Sequence, residues 1–270
     1  MTGFLVVNHY LKSEKFDILH RHLKNTAQKL NINLKIKTNQ EMLFESEEPD
    51  FVLFWDKDVN LAKKLENKDL KVFNSSDSIA ICDDKAKTYL ALENKIKQPK
   101  TVIAPLSFFE SDYTEFAEKS AEILSFPLVF KECYGSFGEQ VYLCNDINDI
   151  LSHITSKPFL LQEYIECNGE DVRIEVVGNR VVSAIKRKND NDFRSNITTG
   201  GTAQKYVPTD KECDIALNAC KELGLTFGGV DIMHGDTLCE VNSNAHIINI
   251  MNTNKIDIAP IIFEEIRGRI

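Results

Sequence analysis

Three oxygen-bearing side chains late in the chain have spacing suited to metal chemistry. Asp231 falls in the apolar stretch Gly229–Met233, Glu240 falls in Leu238–Val241, Asn242 follows directly, and Gly235-Asp236 between them suits a tight reversal. A turn there puts Asp231 and Glu240 on neighbouring antiparallel strands. Glu240 and Asn242, two apart, then share a face. Hard oxygen donors that converge in this way suit Mg²⁺ held together with substrate phosphates. The same pattern also describes carboxylates on a solvated strand, and spacing does not separate the two readings.

Cationic candidates lie upstream. Lys131 ends the apolar run Leu128–Lys131, where a charged tip is costly without an anionic partner. Lys85 follows Asp83-Asp84 at a helix start, a place that equally suits a solvated charge. The turn Tyr134-Gly135-Ser136-Phe137-Gly138 can aim backbone N–H groups at phosphate oxygens, although any hairpin needs glycine. A basic run, Lys186, Arg187, Lys188 and Arg194, leads into the polar loop Ser195-Asn196 to Gly200-Gly201, an expensive place to keep order unless something binds there. Strand alternation puts Lys186 and Lys188 opposite Arg187. Arg187 and Arg194 are therefore expected to point inward, Arg187 toward a substrate carboxylate or acylphosphate and Arg194 toward charge developing in phosphoryl transfer. The alternative for Arg187 is a stem that covers apolar strand surface.

These residues need elements to position them. In the first 75 residues Phe4–Val7, Leu34–Ile36, Phe51–Trp55 and Val72-Phe73 read as strands. Phe16, Leu19, Leu23, Ala27 and Leu30 recur at helical steps, and Val59, Leu61 and Leu65 suggest a second helix. The βαβαβ order implies a small parallel sheet, without the G-x-G-x-x-G turn of a dinucleotide site. A helix is predicted from about Asp77 to Glu93, ending at Gln98-Pro99. Then come a strand near Thr101–Ala104, a helix from Tyr113 to Leu124, and a hairpin of Leu128–Lys131 with Val141–Cys144. The remainder is strand-dense: Phe159–Ile165, Val172–Val177, Val181–Arg187, Gly229–Met233 and Leu238–Val241, with one helix carrying Cys213, Ala216, Ala219, Cys220 and Leu223 on one side.

With 270 residues, 43% of them hydrophobic, the chain can bury a sizeable core. A net charge of −9 argues against nucleic acid or an anionic membrane as partner. No apolar run approaches the roughly 20 residues that span a bilayer, and the N-terminus lacks a signal-peptide pattern. The seven cysteines include no C-x-x-C pair and read as free thiols of a cytoplasmic protein. The six histidines are scattered without triad-like support.

Taken in order, Asp84-Lys85, the Pro127–Lys131 strand, Gln162-Glu163-Tyr164-Ile165, Asp171-Val172-Arg173, Asp192–Asn196 with Gly200-Gly201, Gly229-Val230-Asp231 and Glu240-Val241-Asn242 resemble the ATP-grasp ligases. More narrowly, they resemble the RimK-type α-L-glutamate ligases over about residues 74–258. The resemblance implies an α/β (α+β) ATP-grasp fold: a pre-ATP-grasp Rossmann-like domain at 1–76, a central lobe at 77–160, and a C-terminal lobe with the metal site at 161–270. It implies ATP and two Mg²⁺ ions, with Mn²⁺ as the alternative. Lys85 and Lys131 would hold phosphates with the Gly135–Gly138 loop, Gln162 to Ile165 would form the adenine hinge, and Asp171 would lie near the ribose with Arg173 beside it. Arg194, Ser195 and Asn196 would approach the transferring phosphoryl group, and Asp231, Glu240 and Asn242 would ligate metal.

The implied activity is an ATP-dependent carboxylate–amine ligase working through an acylphosphate. Glutamate is the favoured amino acid, and an acidic small molecule, peptide or protein terminus is the acceptor. One departure stands beside the presumed acceptor pocket: after Glu240-Val241-Asn242 the family usually continues with a small residue, Pro and Gly, whereas here Ser243-Asn244-Ala245-His246 follows. That departure keeps open ligases of the same fold for other substrates, D-alanine or an amino-acid carrier protein among them. A non-catalytic ATP-binding module is the remaining alternative, and a homo-oligomer is compatible with the sequence.

Overall fold

The computed structural model describes residues 1–109, 111–135, 138–195 and 200–270. Apolar runs and helical periodicities in the first quarter build β1 (Thr2–Val7), α1 (Glu14–Lys29), β2 (Asn33–Thr38), α2 (Asn39–Met42), β3 (Phe51–Phe54), α3 (Val59–Glu66) and β4 (Val72–Phe73). The strands pair in parallel in the order β2-β1-β3-β4, as the βαβ alternation requires. Gly3 lies opposite Phe51, whose fully buried ring fills the space that a side chain at position 3 would need.

The single helix expected over 77–93 is instead two, α4 (Ser76–Cys82) and α5 (Lys85–Leu92). The break has a local cause. The Asp84 carboxylate accepts from the N–H groups of Ala86 and Lys87 and so caps a new helix start. Both helices face the C-terminal sheet: Cys82 and Leu92 share a core with Val172, Ile174 and Val230.

The central part comprises β5 (Thr101–Ile103), α6 (Thr114–Leu124), β6 (Leu128–Glu132), β7 (Val141–Cys144), α7 (Ile147–His153) and β8 (Phe159–Glu163), with sheet order β5-β8-β6-β7. The expected hairpin forms, with Leu128 opposite Cys144 and Lys131 opposite Val141. Alternation gives this sheet two distinct faces. Leu128, Phe130, Phe159 and Leu161 pack on α6 and α7, while Val129, Lys131, Leu160 and Gln162 face a cleft. The sequence reading ran Phe159–Ile165 into the strand-dense C-terminal part. The structure ends the strand at Glu163 and pairs it with β5 and β6, so a division at 160/161 falls inside β8.

The last part holds β9 (Glu170–Val177), β10 (Arg180–Lys188), β11 (Thr202–Lys205), α8 (Asp210–Glu222), β12 (Phe227–Met233), β13 (Thr237–Asn242), α9 (Ile248–Asn254) and α10 (Ala259–Arg267). Its antiparallel sheet runs β11-β10-β9-β12-β13. The β9–β10 reversal depends on Gly178 at φ +59°, a conformation that costs a side chain energy. One face of the sheet packs on α8, α4 and α5. On the other, Val177, Ile185 and Phe227 join α9, α10 and the first sheet in one continuous core that includes Leu5, Leu53 and Phe263. Asn74 locks that junction while fully buried: its amide donates to the carbonyls of Phe227 and Ser243, each at 2.9 Å, and accepts from Thr226 N at 2.7 Å.

Gly3→Ala tests the packing of the first sheet. Its Cβ would sit within 2.3–2.8 Å of three Phe51 ring carbons, and the ring has no free volume to enter. The expected loss of stability is about 1–3 kcal/mol, read as a lowered denaturant midpoint with unchanged m-value.

Candidate functional site

Two cavities meet where the central and C-terminal sheets approach one another. The first, about 130 Å³, lies between the Lys131/Gln162 face of the central sheet and the ends of β9, β10, β12 and β13. The second, about 490 Å³, lies between the C-terminal sheet and residues 8–16 and 55–57 of the first part. They share a wall of Cys82, Lys85, Gly135, Arg187 and Glu240. Lys85, Lys131, Gly135, Gly138, Gln162, Glu163, Tyr164, Ile165, Asp171, Arg187, Arg194, Ser195, Asp231 and Glu240 all line the first cavity. Arg173 and Asn242 line the second. Ser136 and Asn196 lie outside the described residues.

Lys131 Nζ, on the cleft face of β6, donates to Gln162 Oε1 at 2.6 Å, and Gln162 Nε2 donates in turn to Thr101 Oγ1 at 2.8 Å. Lys85 comes from the start of α5. Its Nζ is 3.5 Å from Gly135 O and 3.9 Å from Glu240 Oε1, distances that leave its charge available to a stronger anionic partner. In the hinge, Glu163 is fastened at both ends: its N–H donates to Lys100 O, and its carboxylate accepts from Lys100 N at 2.7 Å. Arg194 is held by Asp192 and donates to Gly138 O at 2.5 Å, which ties the loop after β10 to the glycine turn across the cleft. The Asp192 pair keeps its guanidinium pKa above the ordinary value.

The C-terminal sheet supplies a row of charges. The register puts Asp231 opposite both Glu240 on β13 and Arg173 on β9, with Arg187 on β10 opposite Asp171. Arg187 Nε donates to Asp171 Oδ1 at 2.7 Å, and its Nη2 reaches both Asp171 Oδ2 and, at 3.0 Å, Asp231 Oδ2. Arg173 grips Asp231 through Nε and, at 2.7 Å, through Nη2. Burial opposes every one of these charges. The aspartates nevertheless hold both guanidinium pKa values above normal, and the two arginines hold the Asp231 carboxyl below its usual range.

This network adds partners that the sequence reading of Arg187 and Asp171 did not include. Arg187 does point inward, and Lys186 and Lys188 turn away to pair with Glu170. Its Nε and Nη2 are engaged by two carboxylates, and both Asp171 oxygens accept from it. A 6% exposed guanidinium must be paired somewhere, and β9 and β12 supply its partners from within.

The metal candidates keep suitable donors. Glu240 is half-buried, with Lys85 at 3.9 Å as its ion-pair neighbour. The Asn242 amide has a buried Nδ2 that makes no hydrogen bond. With Asp231, whose two oxygens already accept from Arg173 and Arg187, they would make an all-oxygen set, the chemistry that suits Mg²⁺. Among the described residues no three His, Cys, Asp or Glu side chains converge on one point, so the amide of Asn242 is needed to complete any such set.

One residue in this row escaped the sequence reading. Glu175 follows Asp171 and Arg173 at steps of two on β9, on the same face, and is 3% exposed. The signal was present: three charged residues alternate there with Val172, Ile174 and Val176. Its carboxyl makes no hydrogen bond or ion pair among the described residues, and burial raises its pKa to about 7 against the pull of Arg173.

With this geometry in view, the comparisons with known proteins define the class and then the family. The whole chain superposes on a solved D-alanine–D-alanine ligase from Bacillus anthracis with a TM-score of 0.78, covering 100% of this chain and 98% of that one at 16% identity. The fold is ATP-grasp. Residues 82–266 match the RimK-like ATP-grasp domain, and the chain belongs to that family. It is 36% identical over 245 residues to an uncharacterized protein, the MG012 homolog of Mycoplasma pneumoniae, covering 83% of this chain and 85% of that one. It is also 36% identical over 202 residues to a probable alpha-L-glutamate ligase of Vibrio atlanticus, covering 71% and 65%.

Two outcomes follow from the charge row. Arg187→Ala leaves Asp171 without a partner in a buried setting and should lower stability by roughly 3–5 kcal/mol, whereas Lys188→Ala, on an exposed side chain, should stay within about 0.5 kcal/mol; urea unfolding of the two variants measures both. Glu175 generates the second. Its carboxyl binds a proton more tightly folded than unfolded, so its contribution to stability is present below the ordinary carboxyl range and is lost as pH rises through about 7. Glu175→Gln should therefore match the native chain near pH 4.5 and exceed it by a few degrees in Tm at pH 8, as thermal unfolding across that range would show.

Proposed function

We propose that the chain is an ATP-dependent carboxylate–amine ligase of the cytoplasm, with glutamate as the favoured amino acid and an acidic small molecule, peptide or protein terminus as acceptor. One observation carries this reading: a second, larger cavity opens on the same Lys85, Arg187 and Glu240 wall that closes the first. A nucleotide lying from the hinge toward that wall would present its γ-phosphate to whatever occupies the neighbouring space. At about 490 Å³ that space is within the range of small-molecule sites, roughly 300–1,000 Å³.

In this reading Glu163 to Ile165 seat the adenine, and Lys131, Lys85 and the Gly135–Gly138 backbone bind phosphate oxygens. Arg194 stands where charge would develop. Asp231, Glu240 and Asn242 would hold Mg²⁺, which when bound supplies neutralisation of the charge on the β- and γ-oxygens. The reaction balances without a protein nucleophile. A substrate carboxylate oxygen bonds to the γ-phosphorus as ADP leaves, and an amine then displaces phosphate from the acyl carbon and gives up a proton.

A second reading, the same chemistry on other substrates, is favoured by the segment that follows Asn242. Ser243, Asn244, Ala245 and His246 all line the second cavity, so its shape is set by residues that depart from the family's usual run. ADP release from the purified chain, measured against a panel of amino acids paired with acidic acceptors, separates the readings. Release that needs glutamate and an acceptor supports the first, release with another pairing supports the second, and no amino-acid-dependent release defeats both. Glu240→Gln, nearly isosteric, should leave folding intact and lower Mg²⁺-dependent ADP release by roughly 100-fold or more, the scale of losing one electrostatic contact to developing charge.

A further inference from the structure

The charge row on the C-terminal sheet has one carboxyl without a partner among the described residues. In this row Arg173 is matched by Asp231, and Arg187 by Asp171 and Asp231, so two cations and two anions cancel. Glu175, the next residue of the row, is left over. It is 3% exposed, lines the second cavity, and has no hydrogen bond or ion pair among the described residues. The strand across from it contributes Gly229, where even a Cβ would stand 3.0 Å from Glu175 Oε1, so the absence of a side chain there makes room for the carboxyl. Toward the other end, Val177 enters the apolar core shared with the first sheet. Glu175 thus occupies the boundary between the ion row and the core, the place where a lone carboxylate costs most.

Two polar groups of the neighbouring wall present acceptors. The Asn244 amide is oriented by Nδ2, which donates to Asp56 O at 2.7 Å, and this leaves Oδ1 as a buried acceptor without a partner. His246 Nε2 contacts Lys15 O at 3.2 Å; a carbonyl can only accept, so Nε2 carries the hydrogen there. Burial lowers the His246 pKa and keeps the ring neutral. Its Nδ1, unpartnered, is then an acceptor as well.

We propose that Glu175 is a specificity-determining residue, the one that recognises the primary ammonium group of a small substrate seated in the second cavity. The proposal rests on the ligase reading only for which substrate this is, because an amine is one of the two groups such a reaction joins. A carboxylate-only ligand would instead face an unpaired Glu175 at the cavity floor. The cavity's volume admits an amino acid or a chain terminus rather than a folded surface.

The test is a binding measurement on the full chain with ADP and Mg²⁺ present. The probes are L-glutamate and L-alaninamide, each beside its N-acetyl counterpart, which keeps the rest of the molecule and removes the ammonium. At least one free amine is expected to bind ten or more times as tightly as its acetylated partner. Glu175→Gln should bring that ratio to within twofold while ADP affinity is unchanged, and Glu175→Asp, which keeps the charge on a shorter stem, should retain a ratio above threefold. A ratio near one in the unsubstituted chain, absence of binding by both amines, or a preference that survives Glu175→Gln overturns the proposal. The first two outcomes need no variant and so do not depend on its folding. Amine preference without ADP release would remove the ligase reading and leave this one standing; turnover with a ratio near one would do the reverse.

Discussion

Four alternating charges on one face of the C-terminal sheet set the terms for the site around them. Asp171, Arg187, Asp231 and Arg173 come from three adjacent strands, each arginine bridging from its own strand to a carboxylate on another. None could be buried alone. Together they satisfy one another's charge, which turns an energetic liability into a constraint on register, since a slip of one residue would point every one of them into the apolar face behind. Asp231 is consequently held in place by the two arginines, and the wall between the two cavities inherits its rigidity from the pairs.

The rest of the fold reads as support for that wall. The first sheet and the C-terminal sheet share one core through α9 and α10, with Asn74 bonding across the junction, so the second cavity is bounded by parts that do not separate easily. The central sheet differs. Its apolar face closes on α6 and α7 in a core of its own, and it meets the other sheets chiefly through the cleft. A lobe with its own core can shift as a unit at little cost in packing.

Much of this was legible from sequence because strand alternation is a strong signal. The Asp231–Glu240 pairing followed from a Gly-Asp turn and a period of two, and the structure has that register. So did the inward direction of Arg187. What spacing does not carry is the partner from a distant strand: nothing near Arg187 in sequence says that Asp171 and Asp231 will pair with its guanidinium. The helix break at Asp84 was missed for a related reason. Hydrophobic periodicity runs through it, and only the competition between a side-chain carboxylate and backbone carbonyls for the same N–H groups reveals the cap. Glu175 went unnoticed because a single glutamate in an apolar strand looks like an exposed residue until the opposite strand proves to be glycine there.

The two cavities are unequal in a way that bears on how the site works. About 130 Å³ is below the roughly 300 Å³ at which small-molecule sites begin, whereas the neighbouring cavity is already within range. Arg194 reaches across the first cleft to Gly138 O and Val141 O, while Lys131 and Gln162 bond to one another on the central sheet. These are hydrogen bonds from cations to neutral oxygens, weaker than the ion pair that Asp192 gives Arg194. The central sheet, with an apolar core of its own, thus faces the C-terminal sheet across a narrow cleft lined by Lys85, Lys131, Arg187 and Arg194.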